Sequence, residues 1–359
     1  MSLCSFDKNR LNLFIIFYIA VIFILLYTTP FTLPEANILY SNKSSLTNYL
    51  ATFFDNLNHN YIYIRAPFFI ISLINIYLFY KVSNLYIKDD KFSSLATFIY
   101  LITPGVFVSN ILVNYATIPI FLALSFIYSY TLNQRVIPIL VLVLLLFTNI
   151  ASFVFYLAIV LYSYRKKDWI LFIVAISLLI LSSAIETYPI DGIPKGHLLQ
   201  VLGVYGATLS PFYFLAILYA VYRVAINKQK SLLWYIVSSF IIVSLILSIR
   251  QKIKVTDFTP FVVIGSILVV LVFKDVISIR LKIFQKRYKI VCMTVVSVLL
   301  LETSLVVLNY PLYKLFGSRY HIIDTSMYKI AEDARKKCTK NRHKRYKNLY
   351  KYYSLEVCN

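Results

Sequence analysis

The chain has 359 residues, 60% of them apolar and only 14% charged, with a mean hydropathy of +0.74. Soluble domains sit near ~45–50% apolar and ~25% charged, so this chain has too little polar surface to cover a water-soluble core. A secreted disulfide scaffold, a soluble nucleic-acid binder and a disordered tail are excluded as descriptions of the whole. The composition is that of an all-α polytopic membrane protein. Its net charge of +21 belongs to loops beside a membrane rather than to a nucleic-acid partner.

A spanning helix needs about 20 mostly apolar residues. In chain order, apolar runs fall near 11–29, 66–85, 93–109, 115–132, 136–149, 151–164, 169–186, 208–226, 232–249, 260–273 and 290–309. They predict a bundle of about 11 transmembrane helices. The first run is too long for a cleaved signal peptide and lacks a small-residue cleavage site. The expected organisation is one transmembrane domain over 1–309, with 30–65 as its first outer loop, and a basic tail over 310–359.

Lysine and arginine set the orientation. With the N-terminus inside, the inner segments hold 18 of them and the outer segments before residue 310 hold 6. The remaining 12 lie in the tail, which an odd span count places outside. The expected location is therefore a plasma (bacterial inner) membrane with a cytoplasmic N-terminus. No internal repeat stands out, and no Gly- or Pro-broken helix is expected at mid-membrane, which weighs against a transporter.

The first outer loop, 30–65, is too long for a connector. Leu46, Leu50, Phe53, Phe54 and Leu57 recur at helical spacing, which predicts one or two short helices along the interface. Outside lie five acids, Glu35, Asp55, Glu186, Asp191 and Asp257, each near the outer boundary. The inner loops carry neither a Walker sequence nor a glycine-rich nucleotide loop, so chemistry is expected outside. Glu302 lies inside the last span. It is either a functional intramembrane acid or a neutral carboxylic acid bonded to a neighbouring helix.

The order of these features resembles the GT-C superfamily of polyprenyl-phosphate-sugar-dependent glycosyltransferases. Within it the likeness is to glycosyltransferase family 39, the protein mannosyltransferase and aminoarabinose transferase branch. That family opens its first outer loop with an acidic motif of the kind P-x-D-E-A-x-Y, where this chain has Leu33-Pro34-Glu35-Ala36-Asn37-Ile38-Leu39-Tyr40. The family loop ends at an Arg before an apolar span, here Arg65-Ala66-Pro67. Thr103-Pro104-Gly105 fits its Pro motif, and residues 194–211 and 250–263 resemble later outer segments. The family's paired acids are reduced to one, Glu35, and the second outer turn, Val113-Asn114-Tyr115-Ala116-Thr117, has no carboxylate.

The resemblance implies a GT-C-like bundle that transfers a sugar from a polyprenyl-phosphate donor to an outer acceptor: a protein, lipid or glycan. A hydroxyl acceptor needs a general base, for which Glu35 is the candidate; the other reading of Glu35 is a salt bridge to Lys43 or Arg65 that positions the loop. Asp55, Asp191 and Asp257 are the secondary acids. The donor phosphate needs cations, and Arg65, Lys195, His197 and Arg250 are the outer candidates. Arg250 at a span end is equally explained by snorkelling. His197 with Asp191 gives two metal ligands at most, so no metal or other cofactor is expected. Membrane lipids complete the expected partners, without nucleic acid. A transporter or flippase of a lipid-linked sugar, or a catalytically inactive scaffold, are the competing readings.

Overall fold

The computed structural model describes residues 7–41, 45–185, 196–226, 230–316, 326–335, 338–339 and 344–357. Helices α1 (Lys8–Thr28), α2 (Leu33–Leu39), α3 (Leu46–Leu57) and α4 (Tyr61–Ile87) come first. Next are α5 (Asp90–Leu101), α6 (Pro104–Ile111), α7 (Thr117–Thr131), α8 (Val136–Leu145), α9 (Ser152–Lys166) and α10 (Trp169–Ile185). After them come α11 (Leu198–Leu209), α12 (Pro211–Ile226) and α13 (Leu232–Arg250), then a 3₁₀ turn at Val255–Asp257. The chain continues through α14 (Thr259–Val263), α15 (Ser266–Ile279), α16 (Lys282–Val307) and α17 (Asn309–Phe316). The tail holds α18 (Ser326–Arg335), α19 (Lys347–Tyr352) and a two-residue parallel pair, β1 (Cys338–Thr339) with β2 (Glu356–Val357).

Every apolar run read from the sequence is helical, but their lengths differ. Among the described residues, five units have the length and apolarity to cross a membrane: α1, α4, α13, α14 with α15, and α16. Counting the bent pairs α5–α6 and α11–α12 as one span each gives seven. Helices α7, α8 and α10 are apolar but shorter. The helices fit a multi-pass membrane protein, and eleven full-length spans are not what these lengths give.

The expectation of unbroken helices is corrected. Helices α5 and α6 meet at 67°, and α11 and α12 at 104°. Both breaks precede a proline, Pro104 and Pro211, whose ring fixes φ and removes the N–H that would continue the ladder. Proline then suits the first position of the new helix, where no partner is needed. At the second break Ser210 takes φ 74°, a left-handed value uncommon outside glycine. Gly105 allows the two broken units to touch, because a Cβ there would sit 2.8 Å from the Thr208 carbonyl oxygen.

The core runs continuously from α1 through α16 and into α19. Outward faces stay apolar: Leu13, Ile16, Phe17, Ile173, Ile180, Ile246 and Val291 are all exposed, as surfaces facing lipid are.

Candidate functional site

The segment Thr32-Leu33-Pro34-Glu35 starts α2 by a simple device. Thr32 precedes the helix, and Glu35 at its third position reaches back to accept the Thr32 amide at 2.9 Å and the Thr32 hydroxyl at 2.8 Å. This is the Thr-x-x-Glu capping pattern, so the motif that suggests a family also has a local structural reason.

Glu35 does more than cap. Its Oε1 accepts from Arg65 Nε at 2.7 Å and from the Val113 amide at 3.0 Å, and its Oε2 accepts from Arg65 Nη2 at 2.7 Å. Arg65 spends its remaining donors on the carbonyls of Leu26, Thr29 and Pro30, at 3.1, 2.8 and 2.9 Å. A guanidinium has five N–H donors, and all five are used. Tyr61 lies against its face at 5.1 Å. Glu35 is 1% exposed and Arg65 2%.

A general base must face open space, and the geometry at Glu35 is the opposite. The pair is closed and saturated, and it ties the end of α1, the start of α2, the head of α4 and the segment after α6 into one knot. In this arrangement Glu35 offers no lone pair to an acceptor hydroxyl, and Arg65 offers no N–H to a phosphate. Of the two readings of Glu35, the geometry is that of the positioning salt bridge, with Arg65. Lys43 lies outside the described residues.

The other candidates fall in two places. Asp55 sits near the end of α3, and its carboxylate meets His59 Nδ1 at 2.7 Å. His59 Nε2 faces the Tyr352 carbonyl at 3.1 Å. His59 was not singled out by sequence; its signal was the spacing of four residues from Asp55 across a helix end. Burial opposes its charge, but the Tyr352 carbonyl and Asp55 outweigh that and hold its pKa above the ordinary value. Burial, with Asp55 nearby, raises the Tyr40 hydroxyl in turn.

His197 and Arg250 form the second place. The His197 amide donates to the Ser248 carbonyl at 3.0 Å, which ties the start of α11 to the last turn of α13. His197 is half-buried and its Nδ1 meets Gln200 at 3.2 Å, while Arg250 is exposed. Asp257 lies buried in the 3₁₀ turn packed on α11 and α14. Lys195 and Asp191 lie outside the described residues, as does Glu186. Among the described residues no group of three or more His, Cys, Asp or Glu could hold a metal ion.

Sequence reading gave the tail no role at the site. Helix α19 packs on α2, Tyr352 stacks on Phe31 at 3.9 Å, and Asn348 donates to Asn37 at 2.9 Å. Lys351 lies over the Tyr40 ring at 4.3 Å. Burial raises the Tyr353 hydroxyl to about 12, so it stays protonated. The tail and the first loop therefore share one side of the bundle.

Apolar cavities open between helices among the described residues. One, about 120 Å³, is walled by α5, α12, α15 and α16, with Leu95, Tyr213, Val269, Phe273 and Tyr288 in its lining. Another, about 330 Å³, lies between α1, the α5–α6 break and α16. No protein-family profile matches this chain, and no curated protein matches it in sequence.

Proposed function

We propose that this chain is a membrane glycosyltransferase of GT-C type, transferring a sugar from a polyprenyl phosphate to an acceptor on the outer face. The observation that carries the reading is the pair of short helices, α2 and α3, placed between the first span and α4 and pinned to the head of α4 by Glu35 and Arg65. The outer face is the side of this loop and the tail; the N-terminus is cytoplasmic, in the plasma (bacterial inner) membrane. The apolar cavities between helices suit the polyprenyl chain.

In this reading the phosphate is held by His197 and Arg250, with Lys195 from the neighbouring segment. Phosphate is the leaving group as the anomeric C–O bond breaks, so little acid help is needed. The acceptor hydroxyl loses its proton to a carboxylate as its oxygen bonds the anomeric carbon with inversion. Glu35 performs that step only if donor binding opens its pair with Arg65. Asp55, coupled to His59, is the acid at the solvent edge of the same loop.

The test is transfer from a labelled polyprenyl-phosphate sugar by purified wild type, Glu35→Gln and Asp55→Asn. A base contributes about 10²–10⁴-fold in rate, so the variant that loses this much while keeping its fold identifies the carboxylate. No transfer by wild type to protein, lipid or glycan acceptors overturns the reading. The two broken helices then favour a transporter or flippase, and the saturated Glu35 favours a catalytically inactive scaffold.

A further inference from the structure

The cavity of about 120 Å³ is a groove between α12, α15 and α16, with α5 behind it. On α12 its wall is Ala216 and Ala220, four residues apart on one face and too small to fill the space. On α16 the lining residues Tyr288, Cys292 and Val296 also share one face. Lining residues Tyr219 and Val291 are exposed, so the groove opens on the outside of the bundle. No lining residue is charged. Such a slot admits an alkyl chain but not a second helix, which is ~10–12 Å across with its side chains.

Its mouth is built at the corner between α15 and α16. Gln285 closes that corner by donating its Nε2 to the carbonyls of Ile277 and Arg280, at 2.9 and 2.8 Å. Tyr288, in the lining, carries the Arg280 guanidinium over its ring at 4.5 Å. Arg280 follows Val276 by one turn, Arg223 follows Ala220 by one turn, and Lys289 precedes Cys292 by one turn. These three cations are exposed. Arg223 and Arg280 have no ion-pair partner among the described residues. The stretch from Arg280 to Lys289 holds five basic residues and no acid, and Asp275 is the nearest acid in sequence.

The cations share one end of the bundle. Thr208, at the end of α11, touches Gly105 just past the end of α5, so α12 runs back along α5 and Arg223 lies toward the start of α5. The end of α15 is there too. Phe92 packs on Phe273 at 6.4 Å, and Lys274 Nζ donates to the Ile87 carbonyl at 2.6 Å. Ile87 ends α4, about 33 Å along that helix from Arg65, so the first loop lies at the opposite end. Ile279, Leu281 and Ile283 are exposed between the basic residues, which sets the corner where apolar side chains enter lipid and cations meet headgroups. An uncharged groove with a cationic mouth at that depth is complementary to a molecule with an apolar chain and an anionic head.

We propose that this groove holds one anionic phospholipid, with an acyl chain between α12, α15 and α16 and its phosphate at Arg280 and Arg223, flanked by Lys289. Guanidinium groups suit phosphate oxygens, which they can meet with two parallel hydrogen bonds. The site lies at the end of the bundle away from the Glu35–Arg65 pair, and it survives failure of the glycosyl-transfer reading. The larger cavity beside α1 is left to the polyprenyl chain of that reading.

The experiment uses the full-length protein, delipidated in detergent and titrated with phosphatidylglycerol or with phosphatidylcholine of the same chains. Bound lipid is counted by native mass spectrometry, and thermal unfolding is followed in parallel. Wild type is expected to retain one phosphatidylglycerol saturably, in preference to phosphatidylcholine, and to unfold at a higher temperature with it. Arg280→Ala is expected to weaken that binding about fivefold, the loss of one cation at an anionic headgroup. Ala216→Phe, which fills the groove and leaves the cations in place, is expected to lose the retained lipid. The wild-type preference decides even if a variant does not fold. Equal retention of the two lipids, or no saturable binding, overturns the site. So does binding that neither variant changes. Displacement of phosphatidylglycerol by an equal concentration of a polyprenyl phosphate overturns the phospholipid as occupant and gives the groove to the sugar donor's chain.

Discussion

The amide of Phe31 donates to the hydroxyl of Tyr353 at 3.0 Å, across 322 positions of chain. Phe31 is fully buried, at the turn between α1 and α2, and Tyr352 stacks on its ring. One contact therefore closes the basic tail over the first loop, one residue from the Thr32 that caps α2.

That closure predicts a crosslink. In a background with the four native cysteines replaced, Asn37→Cys and Asn348→Cys should join within one chain through a short bifunctional reagent, read as a shift in gel mobility. Failure to crosslink, with each single cysteine labelled normally, would detach the tail from α2.

Removing one partner of the Glu35–Arg65 pair should strand the other as a buried charge. Breaking a buried pair costs about 3–5 kcal/mol, so Glu35→Ala and Arg65→Ala should each lower the midpoint of thermal unfolding sharply. The double variant should cost much less than the sum, because the second removal strands nothing. Additive losses in this double-mutant cycle would mean the two side chains are not coupled.

The tail contact should depend on pH through His59. Its pKa is raised in the folded state by the Tyr352 carbonyl and Asp55, against the opposing effect of burial. Protonation therefore favours the docked form. The contribution is fully present below the ordinary histidine value of about 6.5 and is lost as pH rises through the folded value. The side chain is 54% exposed, so the effect is small. Limited proteolysis of the tail should be slower at pH 5.5 than at pH 8, and His59→Gln should flatten that difference.

Gly105→Ala should push α6 away from α11, since the new Cβ would lie 2.8 Å from a backbone oxygen that has no rotamer to retreat into. Overpacking of this kind costs about 1–3 kcal/mol. Lowered stability is the expected readout, with Gly203→Ala, which meets nothing within 4 Å, as the neutral control.

Much of this molecule follows from local sequence. The membrane class is set by composition, because surface must be covered by something its solvent accepts. Helical runs are set by length and apolarity. Helices α2 and α3 follow from a capping Thr-x-x-Glu and the Leu46–Leu57 spacing, both of which are interactions within a few residues. The breaks at Pro104 and Pro211 were missed in the sequence, although proline acts on its own turn, because apolar runs on either side conceal a bend that hydropathy does not register.

The tertiary structure decided what the polar residues do. A carboxylate in a sequence motif reads the same whether it faces a cavity or a guanidinium, and only the fold brings Arg65 thirty residues onward to fill both oxygens of Glu35. The same holds for Glu302. Its neighbour Ser210 lies ninety-two positions away in sequence, at a helix break, and only the fold brings the two together. Hydrogen bonds and charges act over a few ångströms in space, regardless of separation along the chain, so composition could place this protein in a membrane but only packing could say which of its few charges are spent on holding it together.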